Sequence, residues 1–137
     1  MYYFAYGSNM DKEDLDKWCE ENGYQKIKFL SVLPAKLKGY KLTFNYFSIR
    51  RKGGAANIME SEGNCVYGLL IELTKHDLKT IRAKEGYPNI YKVVKHCEKI
   101  KHQPPTKYYM QLIIKNARRY NLPDNYIDFL ESIETRD

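Results

Sequence analysis

Hydrophobic and polar positions along this chain predict short strands in its first two thirds and amphipathic helices between and after them. Residues 2–6, Tyr-Tyr-Phe-Ala-Tyr, form an aromatic run that reads as a strand ending at Gly7. Over residues 11–22, Leu15, Trp18, Cys19 and Asn22 recur at the spacing of one helix face, and Gly23 supplies the stop. Residues 26–33 and 37–44 read as strands; in the second, Tyr40, Leu42 and Phe44 alternate with lysine and threonine. Lys52-Gly53-Gly54 is a turn, and residues 55–59 a brief apolar strand. Residues 65–73 are apolar on both faces, the pattern of a strand buried on both sides.

Thr74 is placed to cap a helix, with an acidic partner, Asp77, three residues on. That helix puts Leu78, Ile81, Arg82 and Glu85 on one stripe and ends at Gly86, before Tyr87-Pro88. Residues 91–100 read as a further strand. After Pro104-Pro105, residues 106–121 carry Tyr109, Leu112, Ile113, Asn116, Ala117 and Tyr120 at helical spacing. Pro123 suits the first turn of a final helix bearing Tyr126, Phe129, Leu130 and Ile133. The order of elements is α+β, without a regular βαβ alternation. No repeat or low-complexity linker divides the chain, so residues 1–137 are expected to form one domain.

Composition sharpens this picture. At 43% hydrophobic with 13 tyrosines, the 137 residues are too rich in core-forming side chains for a disordered chain. No apolar run reaches about 18 residues, so no membrane span is expected. The N-terminal residues lack the basic and apolar regions of a secretion signal. Cys19, Cys65 and Cys97 stand far apart and form no Cys-x-x-Cys pair, which points to reduced thiols and a cytoplasmic setting. His76, His96 and His102 lack metal-ligand spacing, so no metal site is expected. The net charge of +6 invites a nucleic-acid reading, but 17 acidic residues are interleaved with 23 basic ones. The basic runs, Arg50-Arg51-Lys52 and Arg118-Arg119, are short and read as solvated surface, so no nucleic-acid partner is expected.

Three features carry candidate chemistry. Tyr6-Gly7-Ser8-Asn9 lies where a strand gives way to a helix, and such a turn can offer backbone N–H groups to an anion. Its ordinary reading is a glycine turn with Ser8 or Asn9 capping the helix. Glu85 projects from the face that Leu78 and Ile81 bury, where lost solvation raises a carboxyl pKa towards the range of a general acid/base. Its ordinary reading is a residue fraying outward or paired with Arg82 or a lysine. Tyr109 lies on an apolar helix face, where its phenol either meets a ligand or completes the core. Cys65 and Cys97 lack a local histidine and read as small buried hydrophobes. Ser8 has no nucleophile-elbow pattern around it. Glu13, Glu20 and Glu131 lie on polar faces.

Tyr3-Phe4-Ala5-Tyr6-Gly7-Ser8-Asn9-Met10 resembles the N-terminal signature of the gamma-glutamylcyclotransferase family. The resemblance continues through Gly53-Gly54-Ala55-Ala56-Asn57-Ile58, Val66-Tyr67-Gly68-Leu69-Leu70 and Glu85-Gly86. It resumes at Tyr108-Tyr109 and runs to Asn121-Leu122-Pro123 and the closing helix. It implies a small mixed β-barrel with flanking helices. It further implies a small-molecule gamma-glutamyl substrate lined by Tyr3, Phe4, Ala5, Tyr6, Gly7 and Ser8, with the backbone of Gly7 and Ser8 holding the glutamyl group. Glu85 matches the family's catalytic glutamate and Tyr109 a tyrosine that contacts substrate.

The implied reaction is intramolecular: the substrate's α-amine attacks its own γ-carbonyl, giving 5-oxoproline and a free amine or amino acid. It needs no cofactor. The resemblance leaves the oligomeric state open, a homodimer included. One departure stands out: the connection over residues 98–106 is shorter than in glutathione-related members. Either a strand near the site mouth has been lost, or a loop is absent from the sequence. The leaving group is therefore open, and relatives acting on gamma-glutamyl amines or a gamma-glutamylated metabolite are close competitors. The reading from another class is a non-catalytic binding module with a basic surface.

Overall fold

The computed structural model describes residues 1–85 and 102–137. The strand expected over residues 91–100, the stop at Gly86, His96 and Cys97 lie outside the described residues. The elements in order are β1 (Tyr2–Ala5), a 3-10 turn (Ser8–Met10), α1 (Lys12–Glu21), β2 (Ser31–Ser48) and β3 (Gly53–Glu72). They are followed by α2 (Lys75–Glu85), α3 (Lys107–Arg119) and α4 (Asp124–Ser132).

The three strands pair antiparallel in the order β1-β3-β2. Among the described residues this sheet is open, so the expected mixed barrel is corrected to an antiparallel sheet with helices. Closure would need the two outer strands to meet, and among the described residues β1, only four residues long, pairs with β3 alone. The central position of β3 fits its apolar character: Val66, Leu69 and Ile71 are fully buried.

Sequence spacing divided the long hairpin too finely. The runs over 37–44, 55–59 and 65–73 are parts of two strands of 18 and 20 residues, joined by a turn at 49–52. The register shifts between Lys38 and Tyr40, where residues 61–64 of β3 stand opposite Gly39. Gly39 and Gly63, both at φ +82°, absorb that irregularity, so the turn-like residues bend the hairpin instead of ending it. Pro34 pairs with Leu69 inside β2; its missing N–H is harmless because, among the described residues, β2 is an edge strand. The strand expected over 26–33 is corrected as well. Only residues 31–33 join the sheet, while Lys28 donates its N–H to the Asp77 carboxylate of α2 at 3.1 Å.

The helix starts follow local hydrogen bonding. Thr74 accepts the Asp77 N–H at 3.1 Å, as its spacing predicts. Thr106 caps α3 by accepting the Tyr109 N–H at 3.2 Å. At α1 the cap is Asp11, whose carboxylate accepts the Asp14 N–H at 2.9 Å; neither Ser8 nor Asn9 caps it. Pro123 sits at the N-cap of α4, one residue before its first turn. The helices bury their apolar faces into one cluster with the sheet, in which Leu15, Leu69, Ile71, Ile81, Ile113 and Leu130 are almost wholly inaccessible. Two glycines permit close chain approach: a Cβ on Gly54 would fall 1.7 Å from the Gln103 carbonyl oxygen, and one on Gly68 2.2 Å from that of Ala5.

Candidate active site

The start of the chain crosses from β1 into the 3-10 turn beside the last turn of α2, and there a carboxylate and a phenol meet. The Tyr3 hydroxyl donates to Glu85 Oε1. Asn9 Nδ2 donates to the same oxygen at 3.2 Å and to the Tyr3 phenol oxygen at 2.9 Å. Lys84 Nζ donates to the other end of that amide, Asn9 Oδ1. Glu85 Oε2 has no donor among the described residues. Burial pushes the Glu85 carboxyl above its ordinary range, and the Tyr3 phenol, Lys84, Asn9 and Arg82 offset part of that rise. Burial and the facing Glu85 charge hold Tyr3 well above the usual phenol value, so it stays a donor.

A second cluster lies around the end of the β2–β3 hairpin. The Tyr109 phenol oxygen, carried in by the first turn of α3, accepts the Ala56 N–H at 3.0 Å. Burial raises its pKa, with Ala56, Arg51 and Ser8 opposing the rise. Arg51 stands over the Tyr109 ring, 5.3 Å from its centroid, and donates to Ser8 Oγ at 3.2 Å. The same guanidinium forks onto the buried Asp14 carboxylate of α1 at 3.1 and 2.6 Å. Gly7 fits between these groups: a Cβ there would stand 3.2 Å from both the Ala56 Cβ and the Tyr109 hydroxyl.

Both clusters border one cavity of about 180 Å³. Of the residues expected at a site, Tyr3, Tyr6, Gly7, Ser8, Glu85 and Tyr109 line it. Phe4 and Ala5 do not: Ala5 is fully buried behind the wall, its carbonyl against Gly68, and the Phe4 ring packs 6.1 Å from that of Tyr6. Asn9, Arg51 and Lys84 also line the cavity; sequence reasoning had Asn9 within its candidate turn and missed Arg51 and Lys84. Arg51 was hidden in a basic run read as surface, and Lys84 lies one position off the apolar stripe of α2. Only Asn9 carried a signal, by its place in the turn motif.

Chemically the cavity offers one carboxylate of raised pKa at one end. Three cations, Lys84, Arg50 and Arg51, also line it. That balance favours a small ligand with an anionic group and a proton to give up. Among the described residues, no group of His, Cys, Asp and Glu is arranged to hold a metal ion. Nor is any helix long and apolar enough to cross a membrane.

The fold and this cavity define a small α+β protein in which one cavity joins a half-buried carboxylate to a Gly-Ser turn. The family model described as gamma-glutamyl cyclotransferase, AIG2-like, matches residues 3–127, and the chain belongs to that family. The mouse protein named gamma-glutamylcyclotransferase is 27% identical, with 96% of this chain and 78% of that one covered. The bovine protein of the same name is 30% identical over 156 aligned positions, covering 98% of this chain and 79% of that one. The bovine alignment is longer than the 137-residue chain, so that relative carries residues this chain lacks. A solved structure titled gamma-glutamyl cyclotransferase superposes with a TM-score of 0.78 at 27% identity, covering 99% of this chain and 89% of that one.

Proposed function

We propose that this chain is a gamma-glutamyl cyclotransferase that releases 5-oxoproline from a gamma-glutamyl amide, with Glu85 as general acid/base. The observation that carries the reading is the Glu85 carboxyl. It is half-buried, raised in pKa by that burial, and set in one cavity with the Gly7-Ser8 turn. A substrate α-ammonium cannot attack until it loses a proton, and Glu85 Oε2 is the oxygen left to take it. The freed amine forms a C–N bond to the γ-carbonyl carbon, whose π electrons move onto oxygen. Glu85 then returns the proton to the amide nitrogen, and the oxyanion electrons re-form the carbonyl as the old C–N bond breaks. An amine or amino acid departs, and the ring nitrogen gives up its second proton to Glu85.

The glutamyl group would lie along Tyr3, Tyr6, Gly7 and Ser8, with the backbone of the turn holding it and Tyr109 closing one side. Phe4 and Ala5 would support that wall from behind. Because the nucleophile is tethered, much of an ordering advantage that can reach ~7–11 kcal/mol belongs to the substrate. Turn donors facing the oxyanion could add roughly 3–4 kcal/mol. A spare site with no cofactor therefore suffices. The shared core supports a single domain over residues 1–137. The free thiols Cys19 and Cys65 accord with a cytoplasmic setting.

The test compares 5-oxoproline release by the wild type and Glu85→Gln across gamma-glutamyl-alanine, gamma-glutamyl-lysine and similar amides. A loss of at least ~100-fold with the fold intact is expected, in line with general acid/base contributions. A drop of only a few-fold would remove Glu85 from the mechanism. Turnover of the amino-acid amides but not the lysine amide, or the reverse, identifies the leaving group.

A further inference from the structure

Lys84 is the cation nearest in sequence to the proposed base, and its contacts set it apart from a surface lysine. It is half-buried, lines the cavity, and makes no ion pair within 4 Å among the described residues. Among the described residues its one hydrogen bond goes to Asn9 Oδ1. An ammonium has donors only, so it selects the oxygen end of that amide. The nitrogen end is then left to face Tyr3 at 2.9 Å and Glu85 at 3.2 Å, as observed. With Asn9 turned over, its carbonyl oxygen would face the carboxylate, acceptor against acceptor.

We infer that Lys84 is a positioning residue: its ammonium orients the Asn9 amide onto Glu85, and its charge holds Glu85 ionised and ready to accept a proton. The inference rests on the reading of Glu85 as general base.

The surroundings of the pair are consistent with a charge held there with difficulty. Burial lowers Lys84 to about 8, with Asp14 of α1 opposing and Arg51 and Arg50 of the hairpin end adding to the fall. Glu85 favours the ammonium from the same helix, and the Cys19 thiol of α1 feels its charge. Facing Glu85 are Tyr3 from β1, Asn9 from the 3-10 turn, and Lys84 and Arg82 from α2. At neutral pH the ammonium is charged and favours the carboxylate. Through about 8 it loses its proton, so that support fades as the solution turns alkaline.

The experiment follows the carbon-13 resonance of the Glu85 carboxyl in the resting full-length protein, assigned with Glu85→Gln, in the wild type and three variants. In Lys84→Met the Glu85 pKa should rise by about 1 unit. Lys84→Arg should restore most of it. Lys84→Gln, which can still donate to Asn9, should keep the raised pKa while retaining the amide orientation. On a substrate that is turned over, the acid limb of kcat/KM should move up with Glu85 in Lys84→Met and return in Lys84→Arg. Kcat should fall about 10-fold with little change in KM, a split that a structural role would not produce.

A Glu85 resonance that titrates alike in all four proteins would overturn the inference. If the resonance shifts as expected but the wild type releases no 5-oxoproline from any amide, Lys84 keeps its hold on Glu85. The cyclotransferase reading then falls instead.

Discussion

The Tyr109 phenol oxygen satisfies a backbone N–H that is buried with it, that of Ala56, at 3.0 Å. This ties the tyrosine to the fold as well as to the cavity. Tyr109→Phe leaves the Ala56 donor without its acceptor, and an unsatisfied buried donor costs about 1–3 kcal/mol. Urea unfolding should show that loss in the midpoint with an unchanged slope. If the same variant lowers stability by that amount while kcat/KM stays within two-fold, approximately the error of such a comparison, Tyr109 is a core residue and not a substrate contact. Helical spacing placed Tyr109 on an apolar helix face, and only the family resemblance suggested a substrate contact. A phenol's partner lies 53 residues away, on another element, and nothing in helical spacing marks it.

Among the elements, α1 and α3 are joined through one acid. Asp11 caps α1 and, with Oδ2, accepts Asn116 Nδ2 of α3 at 2.8 Å and Lys115 Nζ at 2.8 Å. Burial raises the Asp11 pKa, but Lys115, the Asp14 N–H and Asn116 outweigh it and hold the group below its ordinary value. Since the folded pKa is the lower, the native state binds fewer protons than the unfolded chain. The contribution is present above the unfolded pKa and disappears as pH falls through the folded one. Asp11→Ala, which removes a cap and strands a buried donor, should cost about 2–3 kcal/mol at pH 7. The gap from the wild type should narrow steadily towards pH 3, and a constant gap would exclude the ionised carboxylate as its source. All four described helices were legible because each carries a 3.6-residue stripe and a stop or cap signal. The long hairpin was not. Gly63 and Asn64 look like a loop in sequence, and only the register opposite Gly39 reveals one continuous strand. Nor could spacing decide between an open sheet and a barrel, since closure depends on which outer strands meet.

At the scale of the whole molecule, the cavity exists because the end of the hairpin is pinned to the first helix. The pin is Arg51 on Asp14, an ion pair whose side chains are 11% and 4% exposed. Burying two charges costs several kcal/mol of desolvation, so such a pair stabilises little relative to apolar residues of similar size. Breaking one side is different, because the other charge stays buried. Arg51→Ala should therefore destabilise by about 3–5 kcal/mol, whereas Arg51→Met with Asp14→Leu should recover most of the loss. Activity should not recover with it. The guanidinium also covers the Tyr109 ring and donates to Ser8 Oγ, so the double variant folds around a cavity that has lost a cation at its turn end. Melting temperature and kcat/KM on the best gamma-glutamyl amide, measured side by side, decide the point. Recovery of both would make the pair a structural tie alone. Recovery of stability with KM raised at least about 10-fold would mean that the charge serves the substrate, with the fold as its frame.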